Sequence, residues 1–212
     1  MDKTLQRGLA AGAAIAGAAL VGGAIYYFRE KATPGPDYRV LVTDGDFELR
    51  AYPDIVVAET MIEGPRKEAL SQGFRALADY IFAKSRDGEE LPMTVPVLQD
   101  SGQASAAEGV MFDDTVEGRW RVRFVMPEGR EPGDLPEPPA GIELVEVPAR
   151  RVAAIKFSGV ADDDRLIEHE DLLRGWLQRR GEDVAREPEY AFYNSPMIPP
   201  PLRRSEVLLP LD

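Results

Sequence analysis

Residues 48–58, ELRAYPDIVVA, recur in altered form as ELVEVPARRVA at residues 143–153. The offset is 95 positions without a gap, and it also aligns Gly64 with Gly159. In each copy, β-forming residues lie on both sides of a proline turn, which predicts a strand, a turn and a second strand. The body of the protein is therefore predicted to consist of two related halves.

A helical pattern follows each copy, because apolar residues recur there at the spacing of one helix face. The stripes are Leu70, Phe74, Leu77, Ala78 and Ile81 in the first half and Leu166, Leu173, Trp176 and Leu177 in the second. Gly181 is a plausible end for the second helix. Extended segments are predicted after each helix, at residues 91–98 and 120–126 and at residues 189–193 and 206–211.

Two ββαββ halves, about 38–127 and 142–212, predict an α+β fold with a pseudo-twofold axis. The expected architecture is a distorted β-barrel or curved antiparallel sheet with two flanking helices. A parallel α/β fold is disfavoured because the strands come in adjacent pairs instead of alternating singly with helices. Residues 127–141, rich in proline and acidic residues, and the polar residues 99–118 are interpreted as solvated linkers.

Composition excludes several classes of site. The 212-residue chain is 44% hydrophobic and 29% charged, with a net charge of −12, so general nucleic-acid binding is disfavoured. It has no cysteine and one histidine, which excludes disulfides, thiolate metal sites, covalent haem attachment and sites with two imidazoles. The sequence contains no nucleophile elbow, phosphate loop or dinucleotide fingerprint, so a binding protein is predicted rather than an enzyme.

The N-terminal segment, residues 1–31, differs from the rest of the chain. Residues 8–28 contain no charge and no proline, and as a helix they would span about 31 Å, the thickness of a bilayer core. The segment is predicted to be a signal anchor with one transmembrane helix, joined by a linker, residues 32–37, to the domain at 38–212. The alternatives are a cleaved secretory signal and a buried Ala/Gly-rich helix.

The charges beside this segment bear on location. Lys3 and Arg7 slightly favour a cytoplasmic N-terminus, which would put the membrane-anchored domain on the extracytoplasmic side. Cleavage would instead give a secreted or periplasmic protein. Gly8 and Gly12 have the small-xxx-small spacing of helix pairs, a weak indication of a homodimer.

Five motifs occur in order along the body: FRALADYIF at 74–82, PMTVPV at 92–97, VRFVMP at 122–127, YNSPM at 193–197 and RRSEV at 203–207. Together they resemble the SOUL/haem-binding protein family across residues 38–212, although Ser205 stands where that family commonly has Asn. The resemblance implies a distorted barrel of two pseudo-repeats. It also implies non-covalent binding of haem or a related tetrapyrrole in an apolar groove beside a helix, as carrier, buffer or sensor.

The same resemblance extends to the effector-binding domains of some transcriptional regulators. The alternative function is therefore a small-molecule effector-binding or protein-interaction domain that does not use haem. A third hypothesis is an enzyme that acts on tetrapyrroles or esters through a site without a known motif.

A haem site needs an apolar slot, cations for the propionates and, in some proteins, an axial ligand. The first helix offers Phe74, Leu77, Ala78 and Ile81 for the slot, with Arg75 beside them for a propionate; Arg66 and Lys67 are further cations. Phe74, Arg75, Leu77, Ala78 and Ile81 are called the α1 set below, where α1 is this first predicted helix. The simpler interpretation is that this stripe packs on the sheet.

His169 is the candidate axial metal ligand, although a histidine at a helix edge is also commonly structural or solvated. Residues 162–164, three aspartates, are predicted to cap the second helix and not to bind a cation. Arg203, Arg204 and Glu206 are predicted to form a charged bracket on the last strand.

Overall fold

A computed structural model describes residues 26–102 and 117–212. The chain divides after Thr33, within the predicted linker, and the body begins at Pro34. Of the first unit, residues 26–31 are helical. Most of the predicted transmembrane helix, residues 8–25, lies outside the described residues, and within the described ranges no helix is both long and apolar enough to cross a membrane.

The described part of the body contains nine strands, two α-helices and two short 3₁₀ helices. In chain order they are β1 Arg39–Asp44, β2 Phe47–Tyr52, β3 Ile55–Pro65, α1 Arg66–Ile81, β4 Val97–Asp100, β5 Glu117–Val125, a 3₁₀ helix Pro132–Asp134, β6 Glu143–Val147, β7 Arg150–Ser158, α2 Asp163–Arg180, β8 Glu189–Phe192, a 3₁₀ helix Pro200–Leu202 and β9 Arg204–Pro210. The extended segment predicted at 91–98 is a strand only from Val97 onwards. Pro92 and Pro96 lack the N–H groups that a strand ladder requires, so pairing begins after them.

All strand pairs are antiparallel, and the strand order is β1-β2-β7-β9-β8-β4-β5-β3-β6. Each of four strands in the first half has an equivalent in the second: β2 and β6, β3 and β7, β4 and β8, and β5 and β9. If the members of each pair are exchanged, the part of the order from β2 to β6 becomes its own reverse. The pseudo-twofold axis therefore passes between β4 and β8, and β1 is additional. The predicted α+β fold with an antiparallel sheet is confirmed, but the sheet is open, with β1 and β6 at its edges, and is not a closed barrel.

The two strands of each repeated unit do not pair with each other. Instead β2 pairs with β7, and β3 pairs with β6. β2 ends at Tyr52 and β3 begins at Ile55, so the chain can separate these two strand ends by at most about 11 Å. In the strand order, however, β3 lies six positions from β2, which in a flat sheet would be about 29 Å. The sheet must therefore curl, and Ala149 donates its N–H to Asp54 Oδ1 at 2.6 Å where the two proline turns meet.

Each face of the curled sheet has its own core. On the outer face, α1 packs on β3 and β5, and α2 packs on β7 and β9. The inner face is filled by apolar side chains of seven strands: Tyr52, Val57, Leu98, Val125, Val152, Ala154, Ala191 and Leu208. This inner core leaves the helix edges and the ends of the curl as places for a ligand.

The predicted ends of α2 are confirmed. Asp162 is the N-cap residue, and its Oδ1 accepts the N–H of Arg165 at 3.1 Å. Gly181 is the C-cap residue in a left-handed conformation that glycine adopts without strain. The aspartates therefore begin the helix, as predicted.

Candidate functional site

The α1 set is divided by the way the helix packs. Leu77 and Ile81 are fully buried against the outer face of the sheet, where Ala78 is partly buried. Phe74 is 41% exposed, and its ring meets that of Phe124 edge-on, with 5.3 Å between the centroids. Only Phe74, Arg75 and part of Ala78 are therefore accessible to a ligand, and Leu77 and Ile81 support them from below.

Arg75 and Arg66 have different roles. Arg75 is exposed and donates its Nε–H to the carbonyl of Ser71 at 3.3 Å; among the described residues it has no carboxylate partner. Arg66 is nearly buried and binds Asp163 at 2.7 Å, which ties the first turn of α1 to that of α2. Of these two cations, Arg75 is the one placed for an external anion.

His169 lies on the second helix and not with the α1 set. Its ring packs on Phe157 of β7, with 4.1 Å between centroids. Its Nδ1 lies 2.7 Å from the carbonyl oxygen of Arg165, an acceptor that requires the proton on Nδ1 and leaves Nε2 with a lone pair in the neutral ring. A carbonyl partner of this kind commonly orients a metal-binding histidine, but the structure does not bring His169 and the α1 set into one site.

Two clusters of buried charges close the inner face of the sheet. In the first, the Arg50 cluster, Arg50 donates two hydrogen bonds to Glu206 at 2.7 and 3.0 Å. Arg204 and the hydroxyl of Tyr193 also donate to Glu206, at 2.6 and 2.8 Å. Burial alone would raise the pKa of Glu206, but the charges of Arg50 and Arg204 lower it. The predicted bracket on the last strand is thus present for Arg204, whereas Arg203 donates to the backbone carbonyls of Ile198 and Pro196.

The second group, the Arg123 cluster, lies where β4, β5 and β8 adjoin. Arg123 contacts Asp100 at 2.7 Å and Glu189 at 3.2 Å, and Arg150 binds Glu189 at 2.6 and 2.8 Å. Burial would raise the pKa of Glu189, but Arg123 and Arg150 outweigh it and hold the pKa at about 2. Asp100 and Glu189 are both paired with arginines, so the two clusters form an ionic core within the inner face.

A cavity of about 790 Å³ lies at the end of the curl where the proline turns meet. We call it the proline-end cavity; its walls are residues 34–37, 53–56, 92, 94, 125–131, 146 and 148. The volume is in the range of small-molecule sites, about 300–1,000 Å³. None of the α1 set lines this cavity, and neither does His169. No local motif predicts this cavity, because its walls come from five separate segments of the chain.

The connector between the halves is not a solvated linker. Leu135 and Ile142 are buried beneath α1, and the hydroxyl of Tyr80 donates to the carbonyl of Pro136 at 2.7 Å. The start of the connector, up to Glu131, forms one wall of the proline-end cavity. The interpretation of residues 127–141 as a solvated linker was therefore wrong, because buried Leu135 and the hydrogen bond from Tyr80 fix the segment to the body, and Ile142 anchors the chain directly after it.

Comparison with known proteins identifies the family. The model of the SOUL heme-binding protein family matches residues 33–210, most of the chain. This chain belongs to the SOUL family. No curated protein matches it.

Solved structures similar to this SOUL-family protein show the fold. The crystal structure of the EcmrR C-terminal domain aligns with a TM-score of 0.57 and 14% identity, covering 82% of this chain and 98% of that domain. EcmrR in a cryo-EM structure with DNA aligns with a TM-score of 0.58 and 13% identity, covering 99% and 71% of the two chains. A hydrolase from Listeria innocua aligns with a TM-score of 0.55 and 12% identity, covering 81% and 94%.

Proposed function

We propose that this SOUL-family protein binds haem or a related tetrapyrrole non-covalently and without catalysis. The observation that carries the proposal is the family match over residues 33–210. At identities below 15%, the similar structures, the hydrolase among them, bear on the fold and not on the chemistry. A carrier, buffer or sensor needs reversible capture, which agrees with a chain that has no cysteine for covalent attachment.

We place the macrocycle on the exposed edge of α1. Phe74 offers an exposed aromatic face, Ala78 is small enough to let a flat ring approach, and Arg75 is free to meet a propionate. Leu77 and Ile81 hold the helix on the sheet, so their contribution is to the stability of the site. A tetrapyrrole bound at this edge would be held by one aromatic contact and one charge-assisted hydrogen bond.

Titration of hemin into the full-length protein tests this function. A Soret shift that saturates at one equivalent is expected. Phe74→Ala is expected to weaken binding about tenfold, because burying a phenylalanine face contributes roughly 1.5 kcal/mol or more. Arg75→Gln is expected to weaken it by a similar factor through the lost charge-assisted bond.

Matched controls lie on α2, where Leu172 is 48% exposed and Arg179 is exposed. Leu172→Ala also truncates an exposed apolar side chain to alanine, and Arg179→Gln makes the same change as Arg75→Gln. Both are expected to leave hemin affinity unchanged. If Leu172→Ala weakens binding and Phe74→Ala does not, the site on α1 is refuted. A response to hemin that never saturates would refute specific binding and favour the non-haem alternative.

We also propose that residues 1–31 anchor the protein in a membrane with the domain on the extracytoplasmic side. The support is the uncharged run of residues 8–28 and the basic residues before it. In membranes from expressing cells, the protein is expected to resist alkaline carbonate extraction. Recovery in the soluble fraction with a shortened N-terminus would instead support the cleaved secretory signal.

A further inference from the structure

The proline-end cavity has an apolar floor. Val125 and Met126 are buried there, and Ile55 and Val56 are half-buried beside them. The walls are fixed by backbone hydrogen bonds, because Val95 donates its N–H to the carbonyl of Pro34 at 2.9 Å. Met126 donates likewise to Val56 at 2.8 Å. The cavity is therefore a formed concavity and not a gap between loose loops.

The rim of this cavity is acidic. Five of its lining residues are carboxylates, Asp37, Asp54, Glu128, Glu131 and Glu146, and all five are exposed. Asp37, Glu128 and Glu146 have no ion-pair partner among the described residues. Asp54 and Glu131 form no ion pair among those residues either, although Asp54 accepts the N–H of Ala149, so all five carboxylates of the rim are without a paired cation.

The basic residue of the lining does not cancel this charge. Arg130 is paired with Glu89 and also donates to the carbonyl of Asp134 at 3.3 Å. Within the described ranges, no three carboxylate or imidazole groups are grouped closely enough to hold a metal ion. The negative charge is spread around the rim, which suits a cation of distributed charge better than a metal ion.

We propose that the proline-end cavity binds a small organic cation with apolar or aromatic substituents. The apolar groups of such a ligand pack on the floor of the cavity, where half-buried Ile55 and Val56 are accessible beside Val125 and Met126, and its charge is attracted by the rim. Haem is a poor occupant, because its propionates are repelled by the same carboxylates. This site is separate from the α1 edge and extends the protein's binding capacity beyond tetrapyrroles.

Two probes of matched size and shape test the charge requirement: tetraphenylphosphonium, a cation, and tetraphenylborate, an anion. The full-length protein is labelled with ¹³C at its methionine methyl groups, and Met126→Leu assigns the Met126 resonance. Tetraphenylphosphonium is expected to shift that resonance saturably. Tetraphenylborate is expected to leave it unmoved at the same concentrations. A Met126 resonance that is unmoved by the cation, or is moved equally by both ions, overturns the proposal.

A pair of triple variants separates the rim from the overall charge. Each variant removes three exposed carboxylates; the rim variant is Asp37→Asn/Glu128→Gln/Glu146→Gln, and the control variant is Glu168→Gln/Asp171→Asn/Asp183→Asn. The rim variant is expected to weaken cation binding about tenfold, because three charges near the ligand are lost. The control is expected to stay within about twofold. Equal weakening in both variants overturns the proposal. Because the measurement does not use the Soret band, it can be interpreted even if the protein does not bind haem.

Discussion

Replacing Glu206 with glutamine tests whether the inner face is a structural ionic core. The Glu206 side chain is 0% exposed, and Arg50, its bidentate partner, is 1% exposed. The substitution preserves the size and the planar shape of the side chain and removes its charge. Arg50 then keeps Glu48, at 2.7 Å and 22% exposed, as its one carboxylate partner among the described residues, together with the Tyr52 hydroxyl at 3.3 Å.

The expected loss of stability arises because the buried guanidinium of Arg50 loses its bidentate carboxylate partner. Removing one member of a buried ion pair costs about 3–5 kcal/mol, and the remaining contact with Glu48 favours the lower limit, about 3 kcal/mol. In a domain of this size, each kcal/mol lowers the melting temperature by about 2–4 °C. Glu206→Gln is therefore expected to melt about 6–12 °C below the wild-type protein.

Urea denaturation of the full-length protein, followed by tryptophan fluorescence, measures the change. Both Trp120 and Trp176 are buried and report loss of the body. The matched control is Glu182→Gln, which breaks a half-exposed pair with Arg151 at 2.7 Å and is expected to cost less than about 1 kcal/mol. A free-energy change below 1 kcal/mol for Glu206→Gln, at an unchanged m-value, would refute the ionic-core interpretation.

Three further predictions concern other parts of the molecule. Arg123 and Arg150 lower the pKa of Glu189 from its ordinary value of 4.5 to about 2, so its stabilisation, about 3 kcal/mol, is complete above about pH 4.5 and is lost as the pH falls towards 2. Glu189→Gln should flatten this part of the stability–pH curve, measured by urea titration at several pH values; an unaltered slope would contradict the assignment. Leu135→Ala should lower the free energy of unfolding by about 2–3 kcal/mol, because it opens a cavity under α1, and a loss below 0.5 kcal/mol would mean that the connector does not anchor. His169→Ala should leave the hemin Soret band unchanged, whereas loss of the shift would move the macrocycle to α2.

The elements of the fold were predictable because their signals are local. The stripe from Leu70 to Ile81 lies within α1, and the residue types of Asp162 and Gly181 predict the two ends of α2. The pairing of the strands was not predictable in this way. The local pattern around each proline fits a hairpin of adjacent strands as well as pairing with the other half of the chain. That β2 pairs with β7 and not with β3 depends on contacts about 100 residues away in the chain.

The ionic core shows a second limit of local patterns. The alternation of Arg119, Arg121 and Arg123 with apolar residues identifies a strand whose arginines share one face. It does not say that this face is covered, and Arg123 is 4% exposed because the sheet curls over it. Similarly, the helical spacing of the α1 set predicts a common side of the helix but not the depth of each residue, which separates exposed Phe74 from buried Ile81.

The duplicated backbone carries unequal charges, and this inequality accounts for where ligands can bind. Met61 pairs with Arg121, whereas its repeat equivalent Lys156 pairs with Glu206, so equivalent inward positions bear opposite charges. Each of these charges is neutralised by its own partners, Arg121 by Asp100 and Glu206 by Arg50 and Arg204. The inner face is thereby closed, which leaves the ends and edges of the sheet for binding. The proline turns lie at one such end because the three-residue link from Tyr52 to Ile55 draws the two sides of the sheet together. Glu146 and Pro148 of the second half complete a cavity whose other walls precede residue 132. A single repeat could therefore not form the proline-end cavity, and the affinity of this cavity for a cation should depend on the intact body.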